Sequence, residues 1–134
     1  MIDHHAALIY TMVLVSAADR EMTDSELLTI GDVVKHLPIF EDYEEAKLLE
    51  TSRDCAELMN NDDGLERVLN VILASLPEKL RETAYALACD VAASDGEVSQ
   101  EELRLLELLR HQLPVGRLPA AAIERGARAR FMTL

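Results

Sequence analysis

Residues 6–18 read AALIYTMVLVSAA and residues 83–94 read TAYALACDVAAS, and neither segment has a polar face. A helix that is apolar all round has to be buried all round, so both predict central helices, over about 4–18 and 77–94. Leu65, Val68, Leu69, Ile72 and Leu73 recur at helical spacing and predict a one-sided helix over 64–75. Ala46, Leu49, Ala56 and Met59 predict a buried face on a helix over about 43–59. Polar positions mark the boundaries. Asp3 is a natural N-cap for the first helix. Thr23 with Glu26, and Ser99 with Glu102, are capping boxes that open helices over 24–36 and 100–112. Pro38 and Pro114 stop those helices, and NNDDG at 60–64 is a break that offers Asp62 or Asp63 as the next cap. Pro77 suits the first position of the second apolar helix, and Pro119 starts a short last one over about 119–130. The reading is all-α: seven helices, no strands, one domain over residues 1–134.

The pattern also repeats. Residues 17–38 align without a gap onto 93–114, with seven identities in 22 positions. Asp19, Glu21, Glu26 and Leu27 match Asp95, Glu97, Glu102 and Leu103, and Leu37-Pro38 matches Leu113-Pro114. The identities fall mostly on polar turn positions, where core periodicity imposes nothing. Two helix-turn-helix copies, about 6–38 and 82–114, are expected to pack about a pseudo-twofold axis with the two apolar helices adjacent.

Composition narrows the function classes. Aromatic residues make up 4% of the chain, there is no Trp, and Ala, Leu and Val carry the apolar content, which suits close-packed helices. A net charge of −12 repels phosphate backbones, so nucleic acid is not an expected partner. From Arg117 onward four Arg and one Glu give a local +3, a basic tail that can fold onto the acidic body or meet a partner. Cys55 and Cys89 form no zinc spacing and no disulfide framework, and read as reduced structural thiols of a cytoplasmic protein. Asp3 lies where a secretory leader would carry basic residues, and the apolar run at 6–18 is too short to span a bilayer.

The duplicated turn is the candidate chemistry. Residues 95–102, DGEVSQEE, align with the last eight positions of an EF-hand loop, but the first ligand positions would be Val91 and Ala93, or Val15 and Ala17 in the other copy. None offers a carboxylate, so an EF-hand is excluded. Capping accounts for Thr23, Glu26, Ser99 and Glu102, and Gly96 for a tight turn. It does not account for Asp19, Glu21, Asp95 and Glu97, whose charges oppose a helix C-terminal dipole. If the two turns meet at one end of the bundle, these carboxylates converge. They then need a counter-charge, for which an all-oxygen shell favours Ca²⁺, Mg²⁺ or Mn²⁺.

An Ala-rich helix, an Asp-x-Glu turn, Ser or Thr, and then Glu-Leu opening the next helix resembles the TerB-like family, which includes tellurite resistance protein TerB and DnaJ-associated domains. The resemblance lies in residues 6–38 and 82–114. It implies an all-helical bundle whose acidic residues gather into a metal site. It also implies a cytoplasmic role in a chemical-stress or membrane-associated protein complex, without catalysis. By position the ligands would be Asp19, Glu21 and Glu26 from the first motif and Asp95, Glu97 and Glu102 from the second. Arg20 replaces the turn glycine in the first copy and sets a positive charge beside that half.

Asp90 interrupts an apolar helix and is a further candidate, as a ligand or as the partner of an Arg or Lys from a neighbouring helix. His4 and His5 diverge around the first helix turn and are expected to be solvated, and His36 and His111 are expected to stabilise helix C-termini. No nucleophile–base–orienter set and no phosphate-cradling glycine loop is visible, so an enzyme is not expected. The alternative to a metal-binding module is an ion-free acidic scaffold that recruits a basic protein partner.

Overall fold

In the computed structural model, which describes residues 2–18 and 22–134, the described residues form seven α-helices and no strand. These are α1 (His4–Ser16), α2 (Asp24–His36), α3 (Leu48–Met59), α4 (Gly64–Ser75), α5 (Arg81–Ala93), α6 (Gln100–Gln112) and α7 (Arg117–Arg130). Short 3₁₀ turns at Pro38–Phe40, Glu45–Lys47 and Glu78–Leu80 lead into the following segments. α1 and α5 form the most extensive helix pair. α3 and α4 pack on α1, and α7 packs on α5. In α1 every residue from Ala7 to Ser16 is buried, as an apolar all-round helix requires. Thr11 keeps its hydroxyl there by donating to the Ala7 carbonyl at 2.8 Å.

The ends form for the reasons their residues supply. Asp3 Oδ1 accepts from the Ala6 amide at 2.8 Å. Both capping boxes are complete: Thr23 and Ser99 each accept from the N3 amide, and Glu26 and Glu102 each reach back to the N-cap amide. Leu37 is extended, as the residue before a proline must be, and α2 stops at His36. Asp63 stands at the N-cap of α4, but its carboxylate takes the Arg67 Nε at 3.0 Å instead of a backbone amide.

Several expectations need correction. Pro77 caps the 3₁₀ turn at Glu78–Leu80 and α5 begins at Arg81. α7 begins at Arg117, two residues before Pro119. A proline fits there because amides of the first helical turn have no intrahelical partner to lose. On α3 the buried stripe is Leu48, Cys55, Leu58 and Met59, with Cys55 fully buried, while Ala46, Leu49 and Ala56 are exposed. A helix of about three turns with few large apolar residues fits a 3.6-residue period at more than one phase, and contact with α1 selected the other one. His5 is buried, not solvated. Its Nε2 lies 2.8 Å from the Ile39 carbonyl and 3.2 Å from Asp42 Oδ1, and its ring packs on Phe40 and Tyr43.

Gly64 is required by close approach. A Cβ there would sit 2.3 Å from the Met59 carbonyl oxygen, a backbone atom that cannot swing away. Gly64→Ala is therefore expected to destabilise the fold by about 1–3 kcal/mol, in the range of core overpacking. Thermal unfolding of this variant beside Gly31→Ala, where the added methyl meets open space, checks it. Equal melting temperatures would refute the close approach.

Candidate acidic site between the capping helices

The first turn of α2 and the first turn of α6 each place a glutamate at N3. The capping box pins each side chain back over its own helix start: Glu26 Oε1 accepts from the Thr23 amide at 2.9 Å, and Glu102 Oε1 from the Ser99 amide at 2.9 Å. The Glu26 carboxyl lies close enough to Glu102 to act on its charge. Both are almost wholly buried, at 1% and 2% exposure, where a capping glutamate at a helix end is ordinarily solvated. With its Oε1 held by Ser99, Glu102 keeps a second oxygen, Oε2, that is buried with no donor among the described residues.

Burial, and then the Glu26 carboxyl beside it, push the Glu102 carboxyl up to about 7, against the opposing hydrogen bonds from Ser99. Two buried carboxyls in contact cannot both stay ionised without a counter-charge. A proton held between them supplies that counter-charge.

The other predicted site residues stand apart. Asp95 and Glu97 are exposed on the turn before α6, where Asp95 Oδ1 accepts from the Glu97 amide at 3.3 Å. Gly96 turns that corner at a φ of 84°, a conformation that side chains other than glycine's strain to adopt. Asp19 and Glu21 lie outside the described residues. Asp90, on α5, pairs with Arg130 of α7, so the basic tail does fold onto the acidic body at this point. Among the described residues no group of three or more His, Cys, Asp and Glu is arranged to hold a metal ion. The two acids that the structure buries together are Glu26 and Glu102, whose donors are all oxygens.

Both thiols are buried and free, and burial pushes each up to about 12, so Cys55 and Cys89 are packing groups without thiolate chemistry. The residues gave one clue to the acid pair: two capping boxes in register. What it lacked was the packing of α2 and α6 on α1 and α5, which buries both caps.

A family model described as tellurite resistance protein TerB matches residues 5–124. No curated protein and no solved structure matches the chain.

Proposed function

The chain belongs to the TerB family, and from that premise we propose that it is a non-catalytic, divalent-cation-binding module of a cytoplasmic chemical-stress response, acting through a protein partner. The observation that carries the cation reading is the buried meeting of Glu26 and Glu102, with one carboxyl oxygen left without a donor. The two glutamates would hold the ion, and Asp95 and Glu97 on the adjoining turn, with Asp19 and Glu21 from the first motif, would complete or guard its shell. Ca²⁺, Mg²⁺ and Mn²⁺ are the ions this oxygen chemistry suits. No helix among the described residues is long and apolar enough to cross a membrane.

Calorimetric titration of metal-stripped protein with each ion is the test. Saturable binding is expected, weakened tenfold or more by Glu102→Gln, and more by Asp95→Asn than by Asp19→Asn because only the second turn keeps its glycine. A ligand that binds the native state alone also raises the melting temperature. If none of the three ions binds at millimolar concentration, the cation reading fails.

A second reading has its own support. Leu27 and Leu28 are 52% and 69% exposed on α2, between acidic surface residues of a chain of net charge −12. A basic, amphipathic partner would cover both leucines and charge without any ion. Failure of all three ions to bind would favour this scaffold role.

A further inference from the structure

α7 runs alongside α5 in the same direction: Tyr85 on α5 donates to Glu124 on α7 at 2.6 Å, and further along Asp90 meets Arg130. α6 and α7 both pack on α5, and between them lies a cavity of about 700 Å³. Its floor is made of small side chains, Cys89, Ala92 and Ala93, which is why the space is there. The stretch from Tyr85 to Ala93 makes the trough about 12 Å long at 1.5 Å per residue. It is polar at one end and apolar at the other. Towards the Gly96 turn it is walled by Val98, Leu103, Phe131 and Met132, of which Val98, Leu103 and Met132 are left exposed. Towards Tyr85 it is bounded by Arg110 of α6 and Glu124 and Arg128 of α7.

The charges at the polar end decide what fits. Neither Arg110 nor Arg128 makes an ion pair with a carboxylate among the described residues. The two carboxylates in the lining, Glu107 and Glu124, are both exposed to water, and Glu124 also accepts from the Tyr85 hydroxyl. Arg110 is half-buried, so its field is less screened than that of Glu107. We propose that this cavity is a binding site for a small amphiphile with a single anionic head, such as a medium-chain carboxylate. Its chain would lie on the alanine floor towards the Gly96 turn, and its head would be held by the Arg110 and Arg128 guanidinium groups. The volume lies within the range of small-molecule pockets, and the guanidinium fork matches a carboxylate. The trough is too short to seat more than about two turns of a partner helix, which favours a small molecule over a peptide. The site is independent of the Glu26–Glu102 pair and goes beyond the cation reading.

The test compares octanoate, octanol and octylammonium by calorimetry on the full chain, each below its aggregation concentration. Octanoate is expected to bind saturably, one per chain, octanol at least tenfold more weakly, and octylammonium without measurable saturation. Replacing both arginines (Arg110→Gln with Arg128→Gln) should weaken octanoate at least tenfold and leave octanol unchanged. Both side chains reach solvent, so the fold should survive, and a melting curve verifies that. Ala93→Leu, which fills the floor, should weaken both ligands. Three results would overturn the proposal: no saturable octanoate binding at millimolar concentration, octylammonium binding as tightly as octanoate, or octanoate affinity indifferent to the loss of both arginines. A concentration-dependent dimer abolished by Ala93→Leu would overturn it too, since a second copy would then be the occupant.

Discussion

Glu102→Gln should stabilise the metal-free protein at about pH 8 and flatten its stability profile between about pH 8 and 5. In the folded state the Glu102 carboxyl is pushed up to about 7 from an ordinary 4.5, so across that interval the native chain holds a proton that the unfolded chain has lost. Stability from this group is complete below the unfolded value and is lost as pH rises through about 7. The loss amounts to roughly 1–3 kcal/mol for a shift of this size. A glutamine keeps the cap, because its amide oxygen still accepts from the Ser99 amide, and it turns an N–H towards Glu26 where a second carboxylate stood. It has nothing to titrate, so the wild-type decline above pH 5 should shrink in the variant. Denaturant titrations at a series of pH values provide the measurement. The chain as a whole also repels itself less when acidified. Glu44→Gln with Glu45→Gln is the control for that, since both glutamates are exposed and lie at the 3₁₀ turn before α3. If this control flattens the profile as much as Glu102→Gln does, the effect is global charge. Saturating divalent cation should reverse the ranking: a bound ion favours the ionised pair, so wild type gains and the glutamine variant does not.

Leu8→Ala in α1 is expected to cost about 2–5 kcal/mol, against less than about 0.5 kcal/mol for Leu49→Ala in α3. Leu8 has no exposed surface and sits in the core shared by α1 and α5, whereas Leu49 is 62% exposed. Truncating Leu8 removes its transfer free energy and leaves a cavity that helices packed on every side cannot close. Against a total stability of about 5–15 kcal/mol, that is a large share, and the melting point should fall by many degrees. Periodicity alone ranked Leu49 as buried, so the pair separates the two descriptions of α3. A loss of about 2 kcal/mol or more on Leu49→Ala would restore the periodicity-based face.

Where a residue's own chemistry sets the outcome, the residues were sufficient except at the helix starts read from Pro77 and Pro119. α2, α4 and α6 begin and end where capping boxes, a break and prolines place them. α1 and α5 are buried because no face of either can tolerate water, and the all-α class and the TerB family were legible from the same features. Short-range steric and hydrogen-bonding preferences act within a few positions of the chain, so they can be read along it. Other outcomes required tertiary packing. The phase of α3 was settled by which stripe α1 could accept. His5 was buried by a segment more than thirty positions away, through Ile39 and Asp42. Glu26 and Glu102 are each an ordinary cap in isolation. Only the packing of α2 and α6 on α1 and α5 removes water from both and makes their charges one problem, because desolvation and carboxyl–carboxyl repulsion depend on distance in space. The trough over α5 has the same origin: its alanines and its arginines are unremarkable along the chain, and the packing of both α6 and α7 on α5 is what brings them around one empty space.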